Sequence, residues 1–188
     1  TLTNPTQTRE YQHRCSQMIN SPKKYEKTLT LDDGTAVLLR PEQVTDTEML
    51  WQMFSTLSQE SLHNLVNPFP RERIEQWTSN INYDKTLPIV AVIQESRKPR
   101  IVAVASLEFR SPPGEKHKAD FGITVHDDYQ NRGIGTALTE YIISTARKKR
   151  LRKINLKVLA TNAQAIRVYE KCGFRKAAVW YTMLLKRH

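Results

Sequence analysis

Apolar positions change period several times along the chain, and each change marks an element. In "KTLTLDDGTAVLLRP", apolar and polar residues alternate on both sides of Asp33-Gly34, which predicts a β-hairpin. "TDTEMLWQMFSTLS" shifts to helical spacing, with Met49, Leu50, Met53, Phe54 and Leu57 on one side and Thr45 or Asp46 placed to cap the start. "SQESLHNLV" and "RERIEQWTSNI" predict two more short helices, parted by a turn at residues 68–70. Three β-branched runs follow, "LPIVAVIQES", "RIVAVASLEF" and "KADFGITVH", joined by a short turn and by "SPPGEKHK". They predict an antiparallel meander. Over residues 133–149 the spacing is helical again, and Ile134, Leu138, Tyr141, Ile142 and Ala146 share a face. "KINLKVLA" predicts a strand, "NAQAIRVYEKCG" a short helix stopped by Gly173, and "FRKAAVWYTMLLK" a last strand or hairpin. Residues 1–24 are polar and weakly periodic, an arm or short helix ahead of a single domain over residues 25–188.

Composition narrows the class. A chain of 188 residues with 39% hydrophobic content suits one α/β domain with a full core. No apolar run approaches the roughly 18 residues needed to cross a bilayer, and "TLTNPTQTREYQHRCSQMINSPKKYEK" lacks the apolar centre of a secretory signal. No membrane association is expected. Cys15 and Cys172 form no CxxC pair, so neither a disulfide framework nor a metal site is expected, and a reducing cytoplasm is the simplest setting.

Charge adds one fact. Residues 1–94 hold 9 basic and 11 acidic side chains, whereas residues 95–188 hold 20 and 8. An anionic partner is expected for the second half: nucleic acid, acidic lipid or a phosphate-rich small molecule. The densest run, "RKKRLRK" at residues 147–153, closes a predicted helix, where cations complement the helix dipole. Without interleaved aromatics it makes a poor nucleic-acid platform, so nucleic acid is the weaker reading and docking of an acidic protein stays open.

The phosphate reading has a place to act. "HDDYQNRGIGTALTEY" sets two of the chain's 6 glycines between a strand and a helix. The first turn of a helix leaves N–H groups unpaired with a dipole that favours anions. Glycine lets a phosphate approach the backbone. A dinucleotide fingerprint would need a third glycine where Leu138 stands, and no GKS or GKT is present, so the two common nucleotide loops are excluded.

The pattern Gln-x-x-Gly-x-Gly after a strand resembles the acetyl-CoA loop of the GCN5-related N-acetyltransferase (GNAT) family. "NAQAIRVYEKCGF" is similar to that family's Asn-x-x-Ala-x-x-x-Tyr-x-x-x-Gly-Phe helix, here Asn162, Ala165, Tyr169, Gly173 and Phe174. The resemblance covers roughly residues 35–188. It implies an α/β (α+β) fold with a mixed, mostly antiparallel central sheet splayed between the fourth and fifth strands and flanked by helices. It also implies acetyl-CoA as co-substrate and an amine acceptor, with a monomer or homodimer both open.

By the same resemblance, Gln130, Asn131, Arg132, Gly133, Ile134, Gly135 and Thr136 wrap the diphosphate. The strand edge at Ile123, Thr124 and Val125 meets the pantetheine arm, with Asn162 and Ala165 beside it. Tyr169 corresponds to the family tyrosine that faces the CoA sulfur and serves as general acid. Asp120 stands where related protein lysine acetyltransferases carry a Glu base. Glu108 on the preceding strand is its rival. "FSTLSQESLHNLVNPFP" resembles a Leu-Ser-x-Glu-Ser segment of those enzymes, although their Arg-Phe-Phe is absent. A protein lysine is therefore the preferred acceptor, with a small amine or a protein N-terminus as alternatives. A sensor that binds acyl-CoA without turnover is the reading from another class. Cys172 is expected as a buried thiol and His126 as an exposed loop residue.

Overall fold

The computed structural model describes residues 23–65, 69–110 and 118–177. The expected meander forms the middle of a six-stranded sheet whose spatial order follows the sequence. Its strands are β1 (Lys27–Thr30), β2 (Ala36–Pro41), β3 (Thr86–Glu95), β4 (Lys98–Arg110), β5 (Lys118–Val125) and β6 (Lys153–Leu156). The hairpin at Asp33-Gly34 forms as expected, with Gly34 at φ +82° and the Thr35 N–H donating to Asp33 Oδ1 at 2.9 Å. Neighbours pair antiparallel except β5 and β6, whose parallel pairing needs the helical crossover between them.

Among the described residues five α-helices flank the sheet: α1 (Thr47–Ser55), α2 (Gln59–Asn64), α3 (Arg71–Ser79), α4 (Ile134–Lys148) and α5 (Ala163–Lys171). Strand residues alternate between two cores. Ile89, Ala91, Ala105, Leu107 and Phe121 pack with Leu138 and Ile142 of α4 and Tyr169 of α5. Val90, Val92, Ile101 and Val104 pack with Leu50, Met53 and Phe54 of α1 and Ile74 of α3. Helices on both faces explain why β3 and β4 read as unbroken apolar runs.

Pairing of β5 with β6 ends at Phe121 and Leu156, while β5 continues to Val125. This is the expected splay between fourth and fifth strands, counted without the short β1. It also corrects the predicted extent of "KINLKVLA": residues 157–160 leave the ladder, and Val158 and Leu159 stand exposed there. The Asp46 side chain does not cap α1. It instead accepts two N–H groups from Arg40, at 2.7 Å each, and the Gln43 N–H at 2.8 Å. Residues 174–177 carry no regular structure, and the arm through residue 22, the 111–117 connection and residues 178–188 lie outside the described residues. Among the described residues no helix is long and apolar enough to cross a membrane.

One buried side chain breaks the pattern. Glu42, just after β2, is 0% exposed, and neither carboxyl oxygen has a hydrogen-bond partner among the described residues. Burial, aided by nearby Asp46, raises its pKa well above the ordinary carboxylate range. The native carboxyl therefore stays neutral while the unfolded one ionises, so stability falls as pH rises above about 4. Glu42→Met removes two unpartnered oxygens and is expected to stabilise the fold by about 1–3 kcal/mol at pH 7. That corresponds to roughly 2–12 °C in Tm. The gain should shrink at pH 4; thermal melts showing an equal or larger gain there would contradict this assignment.

Candidate active site

Helix α4 begins without a side-chain cap. Gly133 occupies the N-cap position at φ +84°, ψ −10°, a left-handed conformation that favours glycine, and the preceding Asn131 is also left-handed at φ +59°. The first helical acceptor is the Gly133 carbonyl, which takes the Ala137 N–H at 2.9 Å. The N–H groups of Ile134, Gly135 and Thr136 thus sit in the first turn with no side chain to satisfy them. By contrast Ser58 accepts the Ser61 N–H at the start of α2, and Asn162 Oδ1 accepts the Ala165 N–H at 3.0 Å at the start of α5. Gly135 leaves room: a Cβ there would meet only Val125 Cγ2, at 3.7 Å. An uncapped 15-residue helix with a bare backbone in its first turn suits an anion.

The other loop residues take individual roles. Gln130 Nε2 donates to the Val125 carbonyl at 3.1 Å and to Ser61 Oγ at 3.2 Å, tying the loop to the end of β5. Ile134 lies in the core, so only its backbone faces the site. Gln164 Nε2 of α5 donates to Asn131 Oδ1 at 3.0 Å. Arg132, expected at the diphosphate, is held at the β1–β2 hairpin. It donates to Asp33 Oδ2 at 2.6 and 3.0 Å and to Thr35 Oγ1 at 2.9 Å, and lies over the Tyr129 ring. The hydrogen bonds from Thr35 and Arg132 lower the Asp33 pKa to about 2.

His126 corrects an expectation, because it is buried at 3% exposure. The Asp128 N–H donates to its Nδ1, and its Nε2 lies 2.9 Å from Thr56 Oγ1. Its own N–H donates to the carbonyl of Val102, the extra β4 residue where the register with β3 shifts. Burial acts to raise the pKa of Asp127, but hydrogen bonds from Ser58 and Ser61 outweigh it and lower the value overall. Cys172, expected buried, is half-buried at the end of α5, and burial raises its thiol pKa.

Beyond Phe121 the backbone of Gly122, Ile123, Thr124 and Val125 runs as an edge without a β6 partner. Tyr169 sits at the point of divergence, its ring 6.1 Å from Phe121 and 5.9 Å from Phe174, both edge-on. Burial raises its phenol pKa to about 12, so it stays protonated at neutral pH. On the opposite face of β5, Thr86, Glu108, Asp120 and Asn155 stand in register across β3 to β6. Asp120 is paired with Arg110 and lies 3.4 Å from Asn155 Nδ2. Glu108 is exposed, and its charge acts on the same Arg110 guanidinium. The structure therefore brings near one another an uncapped helix start, a strand edge without a β6 partner, a protonated phenol and two neighbouring carboxylates, and it places Arg132 apart from them at the hairpin. Sequence reading missed Asp127, Ser58, Ser61, Tyr129 and Asp33, which hold the loop in place.

Comparison with known proteins agrees with this geometry. The chain is 42% identical over 59 residues to the [ribosomal protein bS18]-alanine N-acetyltransferase of Escherichia coli K12, covering 31% of this chain and 40% of that enzyme. It is 37% identical over 75 residues to the L-amino acid N-acetyltransferase AaaT of the same organism, covering 39% and 46%. These matches thus span less than half of either relative. The fold is similar to the GNAT domain of S. lividans PAT, with a TM-score of 0.74 and 23% identity over 85% of this chain and 93% of that one. The model of the acetyltransferase (GNAT) family matches residues 50–174. This chain belongs to the GNAT acetyltransferase family.

Proposed function

We propose that this chain transfers the acetyl group of acetyl-CoA to a primary amine, with a protein lysine as the preferred acceptor. The uncapped start of α4 beside the free edge of β5 carries the reading. The N–H groups of Ile134, Gly135 and Thr136 hold the diphosphate, the Gly122 to Val125 edge holds the pantetheine amides, and Asn162 and Ala165 lie beside that arm. The thioester then reaches the divergence between β5 and β6, where Tyr169 waits.

The amine enters from the face carrying Glu108 and Asp120, whose carboxylates suit a cationic side chain. An alkylamine with a pKa near roughly 10 must lose a proton before it attacks. One of the two carboxylates, directly or through water, takes that proton. The nitrogen adds to the thioester carbonyl and gives up its second proton to water, the C–S bond breaks, and the leaving thiolate takes the Tyr169 hydroxyl proton. The resulting phenolate recovers a proton from solvent.

Lysine is supported by the similarity of "LSQES" to protein lysine acetyltransferases and by the two carboxylates. A protein N-terminus or a free amino acid is the second reading, favoured by the names of the two bacterial relatives. Radiolabelled acetyl-CoA offered with lysine peptides, N-terminal alanine peptides and free amino acids separates them. Label on lysine side chains is expected. Label confined to N-termini or free amino acids overturns the lysine assignment, and CoA binding without any transfer supports a sensor.

A further inference from the structure

The "LSQES" segment has a second use in the fold. Thr56 Oγ1 lies 2.9 Å from His126 Nε2. The Ser58 N–H and hydroxyl donate to Asp127 Oδ2 and Oδ1 at 2.8 and 2.6 Å, and the Ser61 hydroxyl donates to Asp127 Oδ1 at 2.7 Å. Gln130 Nε2 donates to Ser61 Oγ. The corner between α1 and α2 is thus clipped to the loop leading into α4, across 69 positions of sequence from Ser58 to Asp127.

The clip matters because α2 has little else. None of its own residues is buried; apolar anchoring comes only from Leu57 before it and Leu65 after it, and the polar contacts to Asp127 hold the turn between. At the other end the same loop runs through Gln130 and Asn131 to the uncapped first turn of α4. A ligand that stiffens this loop lowers the cost of ordering whatever is bonded to it. Asp127 is the node, because its two oxygens accept three hydrogen bonds from the corner.

We propose that Asp127 is a positioning residue that transmits coenzyme binding to the α1–α2 corner, so that this wall beside the acceptor face becomes ordered once the coenzyme is in place. The idea rests on the proposed coenzyme site. Coupling of the usual size predicts a change of at least about fivefold.

Hydrogen–deuterium exchange of the full chain with and without saturating coenzyme A tests it. In the unaltered chain, coenzyme A should slow exchange at residues 133–137 and, at least about fivefold, at residues 57–65. Asp127→Asn keeps an acceptor for the two hydroxyls but turns an amide towards the Ser58 N–H. Ser61→Ala is the milder change and removes one contact to Asp127 and one to Gln130. Both variants should keep slowing at 133–137 and lose the coenzyme-dependent part at 57–65. A merely structural clip would raise exchange at 57–65 equally with and without coenzyme and leave its coenzyme response intact. That result, or no response at 57–65 in the unaltered chain, overturns the proposal. No response at 133–137 overturns the coenzyme site itself, and the proposal with it.

Discussion

Tyr169→Phe is expected to lower kcat by about two to four orders of magnitude while coenzyme A affinity stays within about threefold. The split follows from where the two parts of the side chain lie. Its ring packs edge-on against Phe121 and Phe174, and phenylalanine keeps both contacts. Only the hydroxyl is lost, and with it the proton for the departing thiolate. Because the phenol pKa is about 12, Tyr169 adds no limb to the pH–rate profile between pH 6 and 10. A limb of kcat/KM in that range belongs to another group. Asp120→Asn and Glu108→Gln separate the two carboxylates, since only the variant that lacks the base loses most of kcat. Asp120 is paired with Arg110 and lies beside Asn155, whereas Glu108 is more exposed on the neighbouring strand and acts on Arg110 only through its charge. Stopped-time assays showing Tyr169→Phe within threefold of the unaltered kcat would remove the phenol from the mechanism.

Gly135→Glu is expected to weaken coenzyme A binding by about two orders of magnitude or more, with the unliganded Tm unchanged or slightly higher. A side chain at 135 meets only Val125 at an ordinary contact distance, so the fold has room for it. A carboxylate in the first helical turn also complements the dipole, a gain of about 0.3–1 kcal/mol. What it occupies is the space above the unpaired N–H groups. Each charge-assisted hydrogen bond lost to the diphosphate costs about 1.5–3 kcal/mol, so losing one or two accounts for the predicted factor. Calorimetric titration and a thermal melt of the same sample separate binding from stability. A melting temperature that drops by several degrees would mean that Gly135 serves the fold instead.

Elements with local periodicity were legible in the sequence. The α4 face of Ile134, Leu138, Ile142 and Ala146 is buried as its spacing predicts, and the Asp33-Gly34 hairpin closes where alternation reverses. Uncapped N–H groups at the start of α4 were also legible, because a Gly-x-Gly between strand and helix is a local signal. Residues that depend on distant partners were not. Arg132 reads as a phosphate ligand until Asp33, 99 positions away, takes its guanidinium. His126 reads as an exposed loop residue, yet Thr56 and the extra residue in β4 bury it. Glu42 follows a proline at the end of a strand, and nothing in its neighbours announces a carboxyl sealed from water. β6 stops early because it diverges from β5 after Leu156, which composition cannot reveal; "KVLA" keeps its apolar residues exposed at the splay.

The proposed coenzyme site at the head of α4 underlies every functional step above, and a crystal structure with coenzyme A addresses it directly. Diphosphate oxygens within about 2.7–3.2 Å of the backbone nitrogens of Ile134, Gly135 and Thr136 are the expected result. A diphosphate seated elsewhere, or those nitrogens capped by a side chain of the protein while coenzyme A is bound, would contradict the account.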